Sequence, residues 1–138
     1  MSVCFSGAYT DSNLARKVYE FFESKYTFMA YYVVEIYQFF ETKYPSIADY
    51  VVEVYHCDLT DDNVKGWQEQ NGEEFLIHID QDLCAGEYIK TLFHELVHCI
   101  QDIVGLTDNN ARESEAYKLE ELFYASFLTT EAFKVSSK

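Results

Sequence analysis

Apolar residues recur at three- and four-residue spacing from Ile89 to Val104. Ile89, Leu92, Phe93, Leu96, Val97, Ile100 and Val104 make one stripe of a helix, and Gly105 is placed to end it in the left-handed conformation. A second stripe, Phe22, Tyr26, Met29, Val33, Ile36, Phe40 and Tyr44, predicts a helix from about Asp11 to Tyr44, bent or broken near Thr27. The pattern between them changes. Pro45 stops the preceding helix, and Tyr50–Tyr55 is β-branched and aromatic, so it reads as a strand. Val64–Gln70 and Glu73–Asp80 flank Asn71-Gly72, the strongest short-range hairpin signal. With Tyr50–Cys57 these runs predict a small antiparallel sheet of about three strands. Asp82 is placed to cap the helix that follows. After the polar loop Thr107–Asn110 a further helix opens near Ala111. The expected architecture is one α+β domain over residues 1–138, long enough to bury a core without staples.

The N-terminal part contains a duplication. Residues 18–37 repeat as residues 36–55 at a constant offset of 18, with 12 of 20 pairs identical. Eighteen residues is five helical turns, so a continuous helix keeps duplicated residues on one face. The helical stripe favours helix for the first copy. The hexamer Tyr32–Tyr37 would then be helical while its echo Tyr50–Tyr55 is extended. A strand at residues 31–37 is the alternative.

The first of the C-terminal helices carries the chemistry. His94-Glu95-Leu96-Val97-His98 reads H-E-x-x-H. Histidines four apart on a helix point to the same side and can bind one Zn²⁺ from adjacent tetrahedral corners. Glu95 is rotated about 100° from His94, within reach of an attacking water without ligating the metal, which places it as a general base. Zinc peptidases usually use three protein ligands. Glu113 and Glu115, two apart on the last helix, cannot both face the metal. Glu113, sharing a face with Ala116 and Tyr117, is the preferred ligand and Glu115 the alternative. The metal-free reading makes His94 and His98 core residues and Glu113 an acid favoured at a helix start.

H-E-L-V-H followed after a short loop by a helix bearing E-x-E-A-Y resembles the gluzincin clan of zinc metallopeptidases, and is most similar to its minimal phage, viral and bacterial single-domain members. The resemblance spans roughly Tyr44 to Phe127. It implies Glu113 as third ligand and a strand at residues 74–80 on the edge of the cleft, pairing with an extended peptide substrate. It also implies a histidine-supporting residue at position 117, where several relatives have Asp or Asn and this chain has Tyr117. The loop after Gly105 is short, so the specificity insert of larger peptidases is missing. Tyr117 and His78 are the candidates for a further hydrogen-bond donor to the oxyanion, although His78 alternates with Ile77 and Ile79 and so faces away from their side of the sheet. No role is attached to His56, and a site from His56, Cys57 and Asp58 would be a chance one.

Composition narrows the field. Hydrophobic content of 49% and aromatic content of 17% describe a globular chain. Against 24 acidic residues stand 10 basic ones, a net charge of −14, and no Lys/Arg cluster can track a phosphate backbone. Nucleic acid is therefore not an expected partner, and the acidity mildly favours basic peptides. No run approaches the roughly 18 apolar residues of a membrane span. The four cysteines, Cys4, Cys57, Cys84 and Cys99, form no C-x-x-C. With no signal peptide read, a reducing cytoplasm, of the cell or of an infected host, is expected. Three functions compete: a zinc peptidase, a catalytically silent zinc-bearing protein that grips an extended peptide, and a helical assembly module without metal.

Overall fold

The computed structural model describes residues 2–5, 8–10, 27–59, 61 and 63–136, and side chains from Tyr32 to Thr130 within those spans. Two short strands, β1 (Ser2–Phe5) and β2 (Ala8–Thr10), precede helix α1 (Thr27–Lys43) and a 3₁₀ turn (Pro45–Asp49). Strands β3 (Val51–Cys57), β4 (Gly66–Asn71) and β5 (Glu74–Asp80) lead into α2 (Ala85–Val104) and α3 (Asn109–Ser136). The class is α+β, as the alternation of periods predicts.

The sheet is five-stranded in the order β2-β1-β3-β5-β4. It is mixed rather than antiparallel throughout. β5 pairs antiparallel with β4 but parallel with β3, with Val54 opposite Ile77 and Gln68 opposite Ile77 from the other side. After β3 the chain skips one lane, forms β4 at the edge, and returns through a hairpin as β5 between them. Asn63, at φ 54°, lies on that crossing. The hairpin turn lies one residue later than its sequence signal. Asn71 still pairs with Glu74, so the loop is Gly72-Glu73, and only Gly72 takes positive φ (64°). Glycine at the first loop position is the II′ form, whose twist matches the flanking strands.

The pleat sorts the sheet into two faces. Val52, Val54, Phe75, Ile77 and Ile79 point to the helices and are buried with Val33, Ile36, Phe40, Tyr88, Leu92, Phe93 and Leu96 in one core. The α2 stripe is buried as its periodicity predicts, except at its end, where Val104 lies outside the core. Gly105 closes α2 at φ 81°, its N–H bonded to the Asp102 carbonyl. At the other end Cys84, not Asp82, is the N-cap and makes no side-chain cap bond; Asp82 N–H turns back to Asp80 Oδ1. Phe39, Phe93, Phe123 and Phe127 meet edge to face and seal α1 against α2 and α3. Half of the predicted N-terminal helix, residues 11–26, lies outside the described residues. Its second half is helical, and with it residues 31–37. Among the described residues, Cys84 and Cys99 are free thiols, the first exposed and the second buried.

Candidate metal centre

Helix α2 runs beneath a cleft of about 610 Å³, with edge strand β4 and the preceding loop on one side and α3 on the other. α3 returns antiparallel along α2, so its first two turns lie over the H-E-x-x-H stretch. This brings His94, His98 and Glu113 together, with one potential ligand atom from each within 4.8 Å of the others. Glu113 Oε2 is 3.3 Å from His94 Nε2, and its Oε1 is 2.8 Å from His98 Nε2. Zinc–ligand bonds near 2.0–2.2 Å place adjacent tetrahedral ligands about 3.4 Å apart. The first distance matches, and the second needs only a small opening of a half-exposed side chain. Glu115 points elsewhere, accepting from Gln101 Nε2 at 3.0 Å.

The far sides of both rings are committed. His94 Nδ1 lies 2.8 Å from Glu120 Oε1, and His98 Nδ1 lies 2.7 Å from Gln101 Oε1. Gln101 is almost fully buried, and its amide nitrogen already donates to the Arg112 carbonyl and to Glu115. Its oxygen must therefore face His98, and must accept. A carboxylate and an amide oxygen both accept, so both Nδ1 atoms carry the proton. Each neutral ring then presents its Nε2 lone pair to a carboxylate. Acceptors facing acceptors at 2.8 and 3.3 Å repel. A single cation bound by all three turns every one of these contacts attractive.

Glu120 is one of the four carboxylates, with Glu113, Glu115 and Glu121, that the sequence offers on this helix for a third ligand, and it supports His94 instead; Gln101 is not among the sequence candidates. Glu120 stands seven residues after Glu113, two turns on the same face, and Gln101 stands three after His98. Both signals were available in the spacing. The support expected from Tyr117 comes instead from Glu120. Tyr117 lines the cleft, with its ring centroid 4.7 Å from that of His94.

Glu95 sits on the cleft floor, almost buried, with its Cγ close to Gly66 of β4. Burial, with the Glu113 and Glu120 carboxylates nearby, raises its pKa to about 8 in the metal-free protein. His78 is elsewhere. It lies on the opposite face of the sheet, stacked on Trp67 (3.9 Å, 10°) and near-parallel to Tyr55 (5.4 Å, 19°), and does not line the cleft. The pleat that buries Ile77 and Ile79 against α2 forces it there. β5 is likewise no free edge, because both its sides are paired; the open edge facing the cleft is β4. His56 is half-buried on the inner face, its Nε2 2.6 Å from the Tyr88 hydroxyl. No helix among the described residues is long and apolar enough to cross a membrane. No family model, curated protein or solved structure matches the chain.

Proposed function

We propose that this chain is a zinc-dependent peptidase of the minimal gluzincin type, acting on peptide segments held extended. The supporting observation is the convergence of His94, His98 and Glu113, with Glu120 and Gln101 fixing the proton on the far nitrogen of each ring. Two imidazole nitrogens and one carboxylate thus converge on a single point. The donor set, two nitrogens and one oxygen, is that of catalytic zinc sites that keep a fourth position open. Zn²⁺ held there supplies Lewis acidity, lowering the pKa of a water and polarising a carbonyl oxygen.

The chain's own groups supply the rest. Glu95 takes the proton of the attacking water and returns it to the leaving amine. Its burial keeps bulk water from competing for that proton. Tyr117, on the opposite wall, offers its phenol to the oxyanion. The free edge of β4 offers backbone N–H and C=O groups to an extended substrate, giving affinity independent of sequence. The net charge of −14 favours basic peptides, and a reducing cytoplasm is the compartment we assign.

Metal analysis and one substitution test this. Purified protein should hold or take up one zinc per chain and cleave members of a peptide library. Glu95→Gln should keep the zinc and lose about 10²–10⁴-fold in turnover. Zinc uptake with no cleavage by either protein would instead make the chain a zinc-bearing peptide binder. Absence of zinc uptake would remove both readings.

A further inference from the structure

We propose that Asp102 is a strut coupling the edge strand to the zinc ligands, so that the metal centre and the peptide groove fill cooperatively; this rests on the zinc reading above. Asp102 lies one turn after His98 on α2. Its Oδ2 accepts from Gln68 Nε2 of β4 at 2.6 Å, and its Oδ1 accepts from Arg112 Nη1 of α3 at 2.7 Å. Arg112 is the residue before Glu113. Its Nη1 also donates to the Leu106 carbonyl at 2.8 Å, and its own carbonyl accepts from Gln101, the residue that holds His98. One carboxylate thus joins the substrate-side strand, the histidine helix and the glutamate helix.

Glu113 needs such an anchor. Its side chain is half exposed, so packing does not fix it, and its position follows the backbone that Arg112 pins. β4 needs one as well. It is a six-residue edge strand paired on one side only, and Gln68 ties it to α2. A peptide that stiffens β4 therefore stiffens Gln68, Asp102 and Arg112 in turn, and with them the backbone that carries Glu113. Linkage makes the effect reciprocal: metal binding quiets β4 by the same free energy with which an occupied β4 tightens the metal. Asp102 touches neither substrate nor metal and is a positioning residue.

Zinc alone, added to the full chain, probes this. Zinc affinity is read by competition with a chromogenic chelator, and β4 by amide hydrogen exchange across Gly66–Asn71. In the wild type, zinc should slow that exchange several-fold. Asp102→Asn sets a donor against the Gln68 or Arg112 donors. It should weaken zinc by about ten- to a hundred-fold and abolish the slowing. Asp102→Glu, which keeps the carboxylate, should recover part of both. Gln68→Ala cuts the strand arm alone: the slowing should vanish, while zinc affinity falls less than in Asp102→Asn. A merely structural Asp102 would lower the metal-free melting temperature yet leave zinc affinity and the slowing intact, which overturns the strut. Should Asp102→Asn fail to fold, Gln68→Ala decides, since persistent slowing there also overturns it. Wild type that takes no zinc sinks the metal reading itself, and is distinguished by the first titration.

Discussion

Gly66 is where the edge strand presses hardest on the helix that carries the site. A Cβ added there would stand 2.8 Å from the His78 carbonyl oxygen and 2.9 Å from Thr91 Cγ2, with Glu95 Cγ at 3.6 Å. Comfortable carbon contacts begin at about 3.5 Å, so Gly66→Ala demands a displacement of roughly half an ångström. The His78 carbonyl belongs to the central backbone of β5 and cannot yield. Thr91 is buried in the wall of α2. The strand must therefore ride up off the helix. Overpacking of this kind costs about 1–3 kcal/mol. Reduced freedom of the unfolded chain returns about 0.4–1 kcal/mol, because Gly66 does not need positive φ. The expected net loss is about 1–2 kcal/mol in urea unfolding. Activity should suffer more than stability, because the same shift moves β4, the proposed substrate edge, relative to Glu95, and misplacement by an ångström costs about 10²-fold. Thr91→Ser deletes the methyl at 2.9 Å and leaves the carbonyl, so the double variant should recover part of the loss as a coupling of about 0.5–1 kcal/mol. If Gly66→Ala is as stable as wild type, β4 does not lie on α2 beside Glu95, and the cleft described above is wrong.

Other substitutions probe separate parts of the molecule. Gln101→Leu strands His98 Nδ1–H, the Arg112 carbonyl and Glu115 together; it should cost about 1–3 kcal/mol and weaken zinc about 10–100-fold. Unchanged zinc affinity would show that Gln101 does not set the His98 tautomer. Burial lowers the His56 pKa from 6.5 to about 4, so between those values the unfolded chain takes up a proton that the folded protein refuses. Its contribution is present above pH 6.5, falls by about 3 kcal/mol as pH drops to 4, and then levels off; urea midpoints at stepped pH should show His56→Gln losing that slope, and an unchanged slope refutes the assignment. Ile36→Val makes the two hexamers identical and should cost about 0.5–1.5 kcal/mol while NMR shifts keep residues 27–43 helical; loss of that helix would mean local sequence, not tertiary context, decides its form.

The metal centre was largely legible because helical spacing is nearly rigid. Two histidines at i and i+4, and a glutamate opening the next helix, can be brought together by any antiparallel return after a short loop. Glu113 shares a face with Ala116 and Tyr117 and meets both histidines, while Glu115 turns to Gln101 instead. Four-residue steps from Glu113 lead to Tyr117, so the motif does not mark the partners of the far ring nitrogens. The carboxylate that meets His94 lies a further turn along, at Glu120. The open edge is β4 rather than β5 for a topological reason. Sequence order makes β5 the strand nearest α2, and hairpin logic pairs neighbours in sequence. Nothing local in residues 58–65 announces that the chain will skip a lane and leave β4, not β5, facing the cleft.

The duplicated hexamer bounds what local sequence can decide. Tyr32-Val-Val-Glu-Ile-Tyr37 lies in α1 and Val51–Tyr55 of its echo lies in β3, with one conservative difference between them. In the helix, Val33, Ile36 and Tyr37 are buried, one face at three- and four-residue steps. In the strand, Val52 and Val54 are buried on the helix side, and Glu53 is buried on the other, accepting from the Tyr55 hydroxyl. Each copy thus finds a burial pattern that suits its form, and β-branched propensity is worth too little to forbid the helix. The flanks break the tie. Pro45 follows the end of α1 and opens the 3₁₀ turn, after which Tyr50 takes extended backbone (φ −120°, ψ 154°), whereas Thr27 at the equivalent earlier position is itself helical. The differences that flank the hexamer, Pro45 against Thr27, Ser46 against Phe28 and Asp49 against Tyr31, separate a strand at the centre of the sheet from a helix packed upon it.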